Sequence, residues 1–136
     1  MKVALVVLVL LLPVTAGAIE WRTANQVTVA WDAVTKLVDG SAIPSGSTVQ
    51  YLVLVRTDPN GTPVIAATTT ATQVVVTLTS EGKFHVGVTP QRMVAGQVVS
   101  EGLTAWSNNP LYAKDGKDWG VVYYLPLSST KVGTVQ

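Results

Sequence analysis

Cysteine is absent from the 136 residues of this chain. A disulfide framework and a lipid-modified cysteine are therefore both excluded. The fold must then be stabilised by the burial of apolar side chains, and 48% of the residues are hydrophobic. This length supports one domain with one core and is too short for two ordinary domains.

Charged side chains are also scarce, at 12% of the residues, with nine basic and eight acidic groups. This balance leaves no basic stripe to neutralise phosphates, so we expect no nucleic-acid partner. One histidine and eight scattered carboxylates are a thin supply of catalytic groups, and no GxSxG turn occurs. We therefore expect a non-enzymatic protein with no cofactor and no metal.

Long stretches of Ala, Glu, Lys and Leu, which favour helices, are missing as well. Valine and threonine are frequent instead, together with eleven glycines and seven prolines. This composition is typical of short strands joined by turns. The predicted fold class is all-β.

Residues 1–18, MKVALVVLVLLLPVTAGA, have the pattern of a signal peptide. Lys2 precedes an apolar run of ten residues that ends at Pro13, and an A-x-A pattern ends at Ala18. We expect cleavage after Ala18 and export of residues 19–136 to the periplasm, the cell surface or the medium. The alternative is an uncleaved anchor, but the run is shorter than the ~18 to 20 residues that span a bilayer.

Four segments have the pattern of strands, and the first of them alternates apolar residues with more polar or smaller ones, as half-buried strands do. They are 26–32, 49–57, 62–68 and 73–78. Trp31 supplies a large core anchor at the end of the first segment, and Tyr51 lies on the inward face of the second. The turn sequence DPNG at 58–61 predicts that the second and third segments form a hairpin.

The stretch LTSEGKFHVGV predicts a corner between two sheets. Leu78 and Phe84 both lie on the inward phase of their strands, and Gly82 between them permits a tight turn. At this corner the chain would cross from one sheet to the opposite one, and both strands would contribute side chains to the same core.

These features resemble the fibronectin type III family, in which a strand tryptophan, a tyrosine-led strand and a leucine-to-aromatic corner recur. Trp31, Tyr51, Leu78 and Phe84 match that order. The resemblance covers 19–110 and implies an immunoglobulin-like sandwich of about seven strands that binds partners through loops or sheet faces, without catalytic residues. The corner aromatic is usually a tyrosine that bonds to the backbone, so phenylalanine here implies a slightly weaker corner.

Residues 111–136 form a C-terminal extension beyond this domain. Within it, 119–125, WGVVYYL, has the pattern of a strand with two apolar faces. Either it is an eighth strand or an arm that lies across the chain's own exposed residues, for example Leu52 and Leu54, or it is an interaction strand offered to a neighbouring chain. Its candidate partner-binding residues are Trp119, Tyr123 and Tyr124.

Two long connections, 33–48 and 91–102, are predicted to be loops at the same end of the sandwich. They would form one joint surface, with Arg92 and Met93 as its contact residues.

The outer face of the strand 49–57 is a second candidate surface, because Leu52 and Leu54 make it unusually apolar. His85 has the phase of an outward residue, and we expect a solvated imidazole there. The sequence thus predicts an exported binding or adhesion module that recognises a protein or a polysaccharide through loops or a sheet face. The alternative is a structural subunit that assembles through 119–125.

Overall fold

The computed structural model describes residues 19–135, so the predicted signal peptide lies outside the described residues. The described part contains strands, one short 3-10 helix and no α-helix, which confirms the predicted all-β class. The strands are β1 Glu20–Thr23, β2 Gln26–Ala30, β3 Ser47–Thr57, β4 Val64–Thr69, β5 Gln73–Thr77, β6 Gly82–Val94, β7 Gln97–Glu101, β8 Ala105–Trp106 and β9 Trp119–Tyr123, and the 3-10 helix is Pro110–Tyr112.

The strands form two sheets, as the sequence predicts for a β-sandwich. The larger sheet follows the order β1-β9-β6-β3-β4, and β7 and β8 also pair with β6. The smaller sheet consists of β2 and β5, paired antiparallel. Apolar side chains from both sheets form one core, whose buried members are Val27, Val29, Tyr51, Val53, Val76, Leu78, Phe84, Val86, Val88 and Val121.

The chain changes sheets between β5 and β6. Leu78, directly after β5, and Phe84, in β6, are both buried in the core. Gly82 begins β6 with a φ of 140°, a backbone conformation that a residue with a Cβ rarely adopts. Directly after β2, Trp31 packs edge to face against Tyr51 of β3, with ring centroids 5.3 Å apart.

Strand β6 organises the larger sheet because it is thirteen residues long. It pairs with β3 along one side, and with β9, β8 and β7 in turn along the other. Strands β2 and β5 have five residues each, so they cover only part of the inner face of β3 and β6. The remaining end of that face is available to the connection between β2 and β3.

The C-terminal segment 119–125 provides β9, which ends at Tyr123. This strand pairs antiparallel with β6 and parallel with β1, and Val121 is fully buried in the core. A Cβ on Gly120 would lie 2.5 Å from the Trp21 ring, so only glycine allows that indole to pack on the strand. Residues on both sides of the predicted domain boundary at 110 therefore contribute to one core.

The prediction that 91–102 forms a loop is wrong. Strand β6 continues to Val94, and a two-residue turn at Ala95 and Gly96 leads directly into β7. Both turn residues have positive φ, at 50° and 77°, as tight hairpin turns require. Valines lie on both sides of a turn that contains glycine, which is a hairpin signal that a loop assignment overlooked.

Candidate functional site

A groove of about 350 Å³ lies where the β2–β3 connection meets the β6–β7 hairpin. Its floor is the end of the larger sheet that β2 and β5 leave uncovered, with Val49, Pro90 and Arg92. Its wall is the connection between β2 and β3, which contributes the apolar side chains Val34, Leu37, Val38 and Ile43. The structure thus brings together the two segments 33–48 and 91–102 on one surface.

The wall of the groove is held in place by polar contacts. The Val34 amide donates to the Tyr51 hydroxyl at 2.9 Å, which attaches the start of the connection to β3. Further along, Leu37 donates to the Ser41 carbonyl at 2.8 Å. The hydroxyl and the amide of Ser41 both donate to Asp39 and lower the pKa of that carboxyl group. These bonds give the wall a defined shape.

The floor is held by side-chain bonds between adjacent strands. Gln50 donates to Gln91 at 2.6 Å, and Gln91 donates to Glu101 at 2.5 Å, so a polar ladder crosses β3, β6 and β7. Arg92 donates through Nε to the Ser47 hydroxyl at 3.0 Å. The groove therefore combines an apolar lining with a rim of fixed polar groups.

Of the two predicted contact residues, only Arg92 lines the groove. Met93 pairs with Val98 across the hairpin and is half-buried. Sequence reasoning missed the apolar wall residues because it treated 33–48 as a polar connection. Their signal was present in the stretch AVTKLVDGSAI, which holds four large apolar residues.

Leu52 and Leu54 are half-buried rather than exposed. Neighbouring side chains crowd their face of the sheet: Thr89 and Thr104 bond to each other at 2.6 Å, and the Trp106 ring packs on the backbone of β6. A Cβ on Gly87 would lie 2.7 Å from that ring. The outer face of β3 is thus partly covered by the chain's own β8 region.

The prediction that the His85 imidazole is solvated is wrong, because the side chain is fully buried. Its Nε2 lies 2.6 Å from Asp58 Oδ1, and its Nδ1 lies 3.2 Å from the Trp119 carbonyl. The Trp21 ring covers it, with centroids 5.2 Å apart. Both ring nitrogens therefore have a hydrogen-bonding partner within the chain.

Arg56, in β3, makes a further set of contacts with the C-terminal half of the chain. Its guanidinium carbon lies 3.7 Å from the centroid of the Trp106 ring, and Nη2 donates to Asn108 Oδ1 at 2.9 Å. Asn108 in turn donates to the Pro59 carbonyl at 3.2 Å. Burial lowers the pKa of the Arg56 guanidinium, since desolvation penalises its charge. These contacts fix the β3–β4 turn against the C-terminal half of the chain.

The three C-terminal aromatic candidates have different surroundings. Trp119 and Tyr123 are half-buried and pack against the core, whereas Tyr124 follows the strand and is exposed. Strand β9 has β6 on one edge and β1 on the other over most of its length. An additional strand could pair there only if one of these neighbours left.

Within residues 19–135, no helix is long and apolar enough to cross a bilayer. In the same part of the chain, no three His, Asp or Glu side chains are grouped so that they could hold a metal ion. Comparison of the chain with protein families, curated proteins and solved structures yields no match.

Proposed function

We propose that this chain is an exported binding module of the fibronectin type III kind, whose groove receives an apolar segment of a protein partner. The observation that carries the proposal is the joint surface of the β2–β3 connection and the β6–β7 hairpin. Recognition by loops held on a rigid sheet scaffold is common in sandwich domains.

The family assignment is supported by the order of the strands. The smaller sheet joins the second and fifth strands, and the larger sheet joins β4, β3, β6 and β7 in spatial order, which agrees with an immunoglobulin-like arrangement. The contact of Trp31 with Tyr51 and the burial of Leu78 and Phe84 at the corner agree with the same family pattern. The export proposal depends on the leader pattern of residues 1–18.

The partner chemistry follows from the lining of the groove. Its wall and floor present aliphatic side chains, and Val38 on the wall is fully exposed. Lys36, Asp39, Arg92 and Glu101 surround them and can bond the backbone or the polar side chains of a bound segment. An apolar core with a polar rim is the usual composition of a protein-recognition surface.

The test is selection of peptides from a random displayed library on the purified protein, followed by measurement of Kd by fluorescence polarisation. We expect a selected apolar peptide to bind at about micromolar Kd and to lose at least about tenfold in affinity to Val38→Lys. Val132→Lys is the matched control, because Val132 is also an exposed valine, at 93%, but lies in the C-terminal tail. Equal affinity of the two variants would contradict the proposed groove.

A further inference from the structure

A second cleft, of about 470 Å³, lies on the other side of the β2 terminus. It is bounded by β1, by the end of β2 and by the segment that carries the 3-10 helix, and it shares no lining residue with the groove. Its volume falls in the range of roughly 300 to 1,000 Å³ that is usual for small-molecule sites. The cleft is therefore a separate site in both position and composition.

Three aromatic side chains line this cleft: Trp31, Tyr112 and Trp119. Tyr112 ends the 3-10 helix and is 44% exposed, while the two tryptophans are half-buried. The Arg22 guanidinium lies 5.6 Å from the Trp119 ring centroid. Tyrosine and tryptophan rings that are exposed on one side supply apolar surface together with polar atoms at their edges. The cleft can therefore hold a ligand that is itself apolar on one face and polar at its rim.

The charged groups of the cleft are balanced. Three carboxylates and three basic groups line it: Glu20, Asp32, Asp115, Arg22, Lys114 and Lys117. Two of them already neutralise each other, since Lys114 Nζ lies 2.9 Å from Asp32 Oδ1. A balanced set selects neither an anion nor a cation. It offers both donors and acceptors to an uncharged ligand that carries many hydroxyl groups.

One of the residues that line the cleft, Trp31, also has a hydrogen-bond donor without an acceptor in the described part of the chain. The indole Nε1 of Trp31 is buried and has no acceptor among residues 19–135. Trp31 also lines a smaller cavity of about 80 Å³, which shares Tyr112 and Trp119 with the cleft. A buried N–H without a partner is costly, and a ligand hydroxyl or a water molecule beside this indole would supply the acceptor.

We propose that this cleft binds a neutral oligosaccharide. The C–H face of a pyranose ring would stack on the exposed ring of Tyr112 and on the half-buried tryptophans, and its hydroxyls would bond the mixed carboxylate and ammonium groups. This inference does not depend on the groove, because the two sites are formed by different residues.

The experiment measures binding of hexasaccharides to the purified protein by titration calorimetry. The neutral probes are hexamers of glucose, N-acetylglucosamine, xylose and mannose, and the acidic probe is a hexamer of galacturonic acid. The test variant is Tyr112→Ala. Its matched control is Leu111→Ala, since Leu111 belongs to the same 3-10 helix, is 88% exposed and does not line the cleft.

We expect at least one neutral hexamer to bind, and its affinity to fall by about tenfold or more in Tyr112→Ala. Leu111→Ala and Val38→Lys should each bind it as the unmodified protein does. The Kd should change by less than about twofold between 50 and 500 mM salt, because a neutral ligand carries no charge to screen. Binding of only the acidic hexamer, binding that Tyr112→Ala leaves intact, or no neutral binding at roughly 10 mM hexamer would overturn the proposal.

Discussion

Shortening Val121 to alanine tests whether the C-terminal strand belongs to the core of this domain. Val121 is fully buried in β9 and packs in the same cluster as the side chains of both sheets. Sequence reasoning assigned this strand to an extension beyond residue 110. The structure gives it a core position, so its truncation should be as costly as any other core substitution.

The size of the effect follows from the two carbon atoms removed. At about 0.8 kcal/mol for each buried methylene, Val121→Ala loses about 1.6 kcal/mol of transfer free energy. The cavity left behind adds to this cost because the surrounding side chains relax only partly, which brings the total to about 2 to 3 kcal/mol. Domains of this size have unfolding free energies of about 5 to 15 kcal/mol, so the loss is a large fraction of the total.

Urea denaturation followed by tryptophan fluorescence measures this loss. With a slope of about 1.5 kcal/mol per molar, the midpoint should fall by about 1.3 to 2 M urea. The control is Val132→Ala, which removes the same atoms from a tail valine that is exposed and should cost less than about 0.5 kcal/mol. If both variants unfold at the same urea concentration, Val121 does not pack in the core and the described position of β9 is refuted.

Two further predictions concern polar contacts that the sequence does not reveal. Asp58→Ala should lower the unfolding free energy by about 1 to 3 kcal/mol, because it leaves the buried Nε2 of His85 without its partner. The control is Asp32→Ala, which removes an exposed ion pair and should cost less than about 1 kcal/mol in the same urea assay. Equal costs of the two substitutions would contradict the role of the buried pair. Tyr51→Phe should lower the unfolding free energy by about 0.5 to 1.5 kcal/mol and speed amide hydrogen exchange at Val34, since the Tyr51 hydroxyl accepts from that amide. Unchanged exchange at Val34 would show that the wall of the groove is held by other contacts.

Local patterns predict much of this fold because they report burial on a face of a strand. Val27 and Val29 alternate with exposed neighbours in β2, as the period of two requires. The corner is predictable for the same reason: Leu78 and Phe84 must both point inward, and the chain between them has a glycine at the position with positive φ.

The candidate site is less predictable because it depends on which segments meet. The hairpin at Ala95 and Gly96 could be recognised from the valines on both sides of a turn that contains glycine, and the groove wall could be suspected from apolar residues in a connection. Their contact with each other depends on the length of β3 and β6 relative to β2 and β5, which only the paired register reveals. Tyr112 has no sequence signal of its own, since tyrosine is intermediate in burial and a partly exposed one is ordinary in folded proteins.

The sequence alone determined the all-β class, the single apolar core, the sheet-to-sheet corner and the phase of β2, of β3 and of the first half of β6, because these depend on residues close together in the chain. Tertiary structure decided the burial of His85 and the position of β9 between β1 and β6. The imidazole lies on the face that its phase predicts, yet Trp21, Asp58 and Trp119 cover it from elements 27 to 64 residues away in the chain. Such long-range contacts leave no periodic pattern in the sequence, so the face of a residue can be predicted locally while its exposure cannot.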